Sequence, residues 1–86
     1  MSDVTSEIRE VLKQHGRLSV DADELPAEAG LYEAGMTSHA SVNVMLGLED
    51  AFDIEFPDRM LTRRVFESIA SIAAAVSELK EEEASV

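Results

Sequence analysis

The chain has no cysteine and no tryptophan, two prolines, four glycines and only 5% aromatic residues among its 86 positions. Without cysteine there can be no disulfide, no thiolate metal site and no thiol nucleophile, so any sulfur chemistry has to be imported. Basic residues are scarce as well. Seven Lys and Arg against 18 Asp and Glu leave a formal charge of −11. That field repels phosphate backbones and anionic lipid, which excludes nucleic acid and membrane surfaces as partners, and it attracts a basic surface on a partner protein. No apolar run approaches the ~20 residues of a membrane span, and Met1-Ser2-Asp3-Val4 does not open a basic-then-apolar leader, so a cytoplasmic location is expected. Alternating strand patterns, internal repeats and low-complexity linkers are missing too.

What is present is helical periodicity. With 45% hydrophobic residues the chain has material for one core and too little length for two, so residues 1–86 read as a single domain, with about 3–79 folded and 80–86 an acidic, frayed tail. Val4, Ile8, Val11 and Leu12 share a helical face over Asp3 to His15, with Ser2 or Asp3 as N-cap and Gly16 as the stop. A long connection follows to Gly35, interrupted by Pro26 and Gly30 and anchored by Leu18, Val20, Leu25, Leu31 and Tyr32; a connection of that length is uncommon unless it packs or works. A second helix is expected from Ser38 to Phe52, with Val44, Met45, Leu48 and Phe52 on its apolar face. Pro57 disfavours helical geometry at Phe56, leaving Ile54 and Phe56 to point inward. Met60 to Phe66 is expected to form a short helix, and Ser68 to cap a last helix bearing Ile69, Ile72, Ala73 and Val76. The expected architecture is all-α, a small four-helix bundle of three main helices and one short one, with a long loop between the first and second.

Few residues can carry chemistry. Ser38 and His39 are adjacent on a helix and diverge by about 100°, and no strained Gly-x-Ser-x-Gly elbow surrounds the serine, so a hydrolase would need His15 to reach Ser38. Neither Asp21-Ala22-Asp23-Glu24 nor Asp53, Glu55 and Asp58 has the spacing of a calcium loop. No glycine-rich phosphate loop occurs. There remains one serine at a helix start, where the dipole and unpaired N–H groups suit an anion. Three roles are open to Ser38 at this point: helix cap, phosphorylation site, or anchor of a phosphate-linked group.

The run Leu31-Tyr32-Glu33-Ala34-Gly35-Met36-Thr37-Ser38, followed by Val42, Leu46 and Leu48-Glu49-Asp50-Ala51-Phe52-Asp53-Ile54-Glu55-Phe56-Pro57-Asp58, resembles the acyl carrier protein family, and the likeness extends over the whole domain. The resemblance implies a bundle of acyl-carrier type, no catalytic residues, and a covalent 4′-phosphopantetheine that Ser38 receives from coenzyme A. It further implies a phosphopantetheinyl transferase, an acyl- or aminoacyl-loading ligase and a downstream transferase as partners, with the carrier itself a monomer. The chain departs from the family in reading Thr37-Ser38-His39 where Asp-Ser-Leu is common, and in a second helix whose acids are confined to Glu49 and Asp50. Partner recognition is accordingly assigned to Met36, Thr37, His39, Val42, Asn43, Leu46 and Glu49, together with the cluster Arg59, Arg63 and Arg64. The Leu-Tyr-Glu-Ala-Gly-Met-Thr-Ser and Phe66-Glu67-Ser68-Ile69 stretches are similar to stand-alone carriers loaded with an amino acid by a separate ligase. The alternatives are a fatty acyl or polyketide cargo, and an acidic helical interaction module in which Ser38 only caps.

Overall fold

Three α-helices account for half of the chain in the computed structural model, which describes residues 4–84: α1 (Val4–His15), α2 (Ser38–Phe52) and α3 (Ile69–Ala84). Ile8, Val11 and Leu12 of α1, Ala40, Val44 and Leu48 of α2, and Ile69, Ile72, Ala75, Val76 and Leu79 of α3 are buried in one core. The spacing within each set is the i, i+3, i+4 stripe of a helix packed on one side. The expected bounds of α2 are met at both ends. Its buried stripe begins at Ala40, and Met45 and Phe52 lie only partly buried at the margin.

α1 packs directly on the α2 backbone at Gly47. A Cβ there would lie 2.8 Å from the His15 ring and 2.9 Å from Val11 Cγ1. Glycine in a helix interior costs about 1 kcal/mol relative to alanine, and here the missing side chain lets a ring and a branched side chain seat against the α2 backbone. The C-terminus of α1 is closed by Gly16 N–H donating to Leu12 O, but the left-handed residue is Arg17 (φ 51°), not the glycine. The proposed caps Ser2 and Asp3 lie outside the described residues.

The connection between α1 and α2 packs on both sides. Half-buried Arg9 donates to Ala22 O and to Leu25 O (2.7 Å), holding a 3-10 turn, Ala22–Glu24, against α1. Lys13 pairs with Asp23 of the same turn, and that hydrogen bond holds its ammonium above the ordinary lysine range. At the far side, Leu31 N–H donates to Glu67 O (2.7 Å) and Ala70 N–H to Ala27 O (2.8 Å). Of the expected anchors Leu31 is fully buried, Leu18, Leu25 and Tyr32 partly, and Val20 is exposed.

The segment after α2 differs from expectation. Met60 to Phe66 is not a helix: Asp58–Met60 forms a single 3-10 turn, and Val65 and Phe66 close two further turns by donating to Thr62 O and Arg63 O. Met60 and Phe66 are buried at either end, and a continuous α-helix does not form between them; Phe66 meets Phe56 edge-on, with centroids 5.5 Å apart. Ile54 and Phe56 point inward as expected. Ser68 caps α3 through a reciprocal pair, Ser71 N–H to Ser68 Oγ and Ser68 N–H to Ser71 Oγ, both 3.1 Å. α3 also runs on to Ala84, past the frayed boundary expected at Lys80. Lys80 donates to Phe52 O (3.0 Å) at the end of α2, and Glu82 accepts from Arg59 (2.8 Å), so contacts with segments remote in sequence secure the acidic turn.

Gly47→Ala should destabilise the fold by about 1–3 kcal/mol, because overpacking outweighs the gain in helix propensity. Urea unfolding checks this, and His15→Ala in the same chain should recover part of the loss.

Candidate functional site

The turn that leads into α2 is held from below. Leu31 and Met36 are both buried, Met36 N–H donates to Leu31 O (3.0 Å), and Ser19 donates to Ala34 O through its N–H and its hydroxyl. Gly35 takes φ +115°, a conformation side chains rarely adopt, and a Cβ there would press on Ser19 N at 3.1 Å. With that turn set, Thr37 takes an extended conformation and accepts Ala40 N–H on Oγ1 (3.0 Å), while its carbonyl accepts Ser41 N–H (2.9 Å).

Thr37, then, is the cap, and the expectation that Ser38 caps α2 is corrected. Ser38 is the first helical residue. Its side chain is exposed, and its hydroxyl makes no hydrogen bond among the described residues. The N–H groups of Ser38 and His39 are likewise unpaired there, as first-turn donors are unless something caps them. A hydroxyl released from capping and set beside free donors can be esterified without undoing the helix start.

From Ser38 a groove of about 340 Å³ runs between α2 and the 61–66 segment. Val42 and Met45 form one wall, Leu61 and Phe66 the other, and Tyr32 and Arg63 stand at its side, with the guanidinium 3.9 Å from the ring centroid. Val42, Leu46 and Leu61 are 50%, 53% and 45% exposed, an apolar patch on an otherwise acidic chain.

The residues assigned to partner recognition separate into two groups. Thr37, His39, Val42, Asn43, Leu46 and Arg63 lie at or near the start of α2 and its groove, Thr37 as the cap and the others with exposed side chains. Met36 is buried and belongs to the turn's support. The Glu49 carboxylate accepts Phe56 N–H (2.8 Å), so it is used inside the fold. Arg59 pairs with Glu78 and Glu82 on α3, and Arg64 lines a cleft with Met60 and Glu78 away from Ser38. The three arginines therefore do not form one cluster, because the turns after Met60 send them to different faces. Sequence reasoning missed Leu61 and Phe66 as groove walls and placed Met45 and Tyr32 in the interior. Their apolar character was visible, but a partly exposed groove has no periodic signature.

His15 packs on Gly47, about 13 Å along α2 from Ser38 at 1.5 Å per residue, so no histidine shares a proton with the serine. Among the described residues no three His, Asp or Glu side chains gather as a metal site, and no helix is long and apolar enough to cross a membrane.

Residues 2–76 match the family described as "Phosphopantetheine attachment site". The chain belongs to that family. It is also 52% identical over 69 residues to the aminoacyl carrier protein of Agrobacterium fabrum, covering 80% of this chain and 83% of that one. A chain in the crystal structure of an engineered Bradyrhizobium japonicum glycine:[carrier protein] ligase, complexed with a carrier protein from Agrobacterium tumefaciens and ATP, superposes with a TM-score of 0.85 at 48% identity, over 87% of this chain and 97% of that one. The corresponding complex of the B. japonicum ligase with a glycylated carrier protein gives 0.72 at 28% identity, over 84% and 96%. This is therefore a carrier domain with a covalent phosphopantetheine cofactor, and it is not an enzyme.

Thr37→Ala should cost about 0.5–2 kcal/mol, the usual range for a lost cap, whereas Ser38→Ala should stay within about 0.5 kcal/mol. Thermal and urea unfolding of the two variants show which hydroxyl caps α2.

Proposed function

We propose that Ser38 is the attachment residue and that the chain carries a small amino acid, in the first instance glycine, loaded by a separate ligase in the cytoplasm. The observation that carries the first part is the division of labour at the start of α2: Thr37 holds the helix, and the Ser38 hydroxyl is exposed and makes no hydrogen bond among the described residues. The residues around Ser38 fit a phosphodiester. The unpaired N–H groups of Ser38 and His39 face the end of the helix where partial positive charge collects, and the adjoining groove offers apolar walls to an arm. When attached, the group supplies the thiol that the chain lacks and so the thioester on which cargo is held.

What the chain itself contributes is placement. Among the described residues none hydrogen-bonds to the Ser38 hydroxyl, so its proton has to be taken by the transferase that modifies it. The serine then holds its substituent at the end of a rigid helix, and a tethered cargo gains effective concentration at a docked enzyme. The cargo reading is supported by the 52% identity to an aminoacyl carrier and by the likeness to a carrier chain complexed with a glycine ligase. It also suits the exposed face of α2. With Glu49 engaged, Asp50 is its remaining acid, so a partner meets Val42, Asn43 and Leu46 rather than a row of carboxylates.

Incubation with coenzyme A and a broad-range phosphopantetheinyl transferase should add one phosphopantetheine to the wild-type chain, read by intact mass, and none to Ser38→Ala. Holo protein should then accept glycine from a glycine:[carrier protein] ligase. An unmodified wild-type chain beside a modified control carrier would overturn the attachment reading, and loading by a fatty acyl ligase in preference to an amino acid ligase would overturn the cargo. Leu46→Asp should raise the ligase KM about tenfold, equivalent to about 1.4 kcal/mol of docking, with an unchanged thermal unfolding curve as its control for folding.

A further inference from the structure

The cations of this chain are mostly committed. Arg9 donates to two backbone carbonyls, Lys13 pairs with Asp23 and Glu10, Arg59 with Glu78 and Glu82, and Lys80 donates to Phe52 O. Arg17 lies at the end of α1 and Arg64 in the cleft beside α3. Arg63 is different in two respects. It is the basic residue that lines the groove containing Ser38, and it stacks on a neutral ring: the guanidinium lies 3.9 Å from the Tyr32 centroid. Stacking on an aromatic face orients the planar guanidinium while leaving its N–H donors free at the edge, and those donors match phosphate oxygens in geometry.

We propose that Arg63, held against Tyr32, is the cationic partner of the phosphodiester on Ser38, an inference that rests on Ser38 being the attachment residue. The need for such a partner follows from charge. Modification adds a further anion to a chain already at −11, and Glu33 and Glu67 stand in the adjoining groove, which shares Tyr32 and Arg63 as its wall. Helix N–H groups offset part of that repulsion, and a guanidinium between the phosphate and the carboxylates offsets more. The same pair would hold the first bonds of the arm against the groove wall. The arm would thereby leave Ser38 along Val42 and Leu61 rather than into open solvent.

The test compares apo and holo forms of the full chain. Modification should raise the wild-type Tm more than that of Arg63→Gln, by about 1–4 °C, the size expected of one exposed charge pair in a small domain. The excess should shrink in 0.5 M salt. Tyr32→Leu should lose it and Tyr32→Phe keep it, since the ring face and not the hydroxyl positions Arg63. In parallel, the Arg63 Nε–H resonance should move on modification of the wild type. Equal Tm increments in wild type and Arg63→Gln, with an unmoved Arg63 resonance, would overturn the proposal. Intact mass keeps the two readings apart: an adduct on Ser38 with no Arg63 effect sinks this inference alone, whereas no adduct on the wild type sinks the attachment reading beneath it.

Discussion

The position of Ser38 depends on the burial of Leu31 and Met36 beneath the turn that carries it. Each side chain is almost wholly withdrawn from water, which stabilises the turn by about 1.5–3 kcal/mol apiece. Their backbones are joined by Met36 N–H to Leu31 O, and Leu31 N–H is tied in turn to Glu67 O just before α3. The first residue of α2 is thus fixed relative to the start of α3, although the two are far apart in sequence. Gly35 permits the tight path and Thr37 ends it by capping the helix. A connection of this length would cost considerable entropy if left free. Here, bonds to α1 through Arg9 and to the α3 side through Leu31 and Ala27 make it part of the scaffold.

Electrostatics follow a similar logic of local commitment. A chain with so few cations cannot neutralise its surface, and most of those it has serve backbone carbonyls or secure the ends of helices. The face of α2 that follows Ser38 is apolar by comparison, since Val42, Leu46 and Leu61 are exposed beside it and Glu49 is engaged by Phe56 N–H. Long-range attraction of a basic partner and short-range contact at the groove are then carried by different parts of the molecule. The first sets encounter rate and the second sets fit.

The helices were legible in the sequence wherever apolar residues recur at helical spacing, and the extent of α2 could be read from it although its cap could not. The stripe through Ile8, Val11 and Leu12 and the cap at Ser68 needed nothing beyond periodicity and hydroxyl chemistry. Three features were not legible for physical reasons. The Met60 to Phe66 stretch has helical composition, yet Met60, Phe66 and Phe56 have to reach the core together, and tertiary burial overrides propensity. The end of α3 looked like a charged tail because its partners, Arg59 and the Phe52 carbonyl, lie on segments remote in sequence. Ser38 and Thr37 are both good caps, and only backbone conformation decides between neighbours: the extended residue caps and the next begins the helix.

That last distinction matters for chemistry. A serine that both capped α2 and carried a substituent would have to give up one role for the other, because an esterified oxygen is bulkier and a poorer acceptor for a backbone N–H. Modification would then loosen the helix start just where the cargo is to be held still. Placing the cap on Thr37 removes the conflict, since its Oγ1 keeps Ala40 N–H whatever is attached next door. The departure from an acidic residue before the serine also bears on this. A carboxylate at position 37 could cap as well, but it would stand beside a phosphodiester in a chain already strongly negative, and a hydroxyl caps without adding that repulsion. The same arrangement leaves the N–H groups of Ser38 and His39 without a partner among the described residues, so under the proposed attachment the helix start and the attached group would draw on different donors of one terminus.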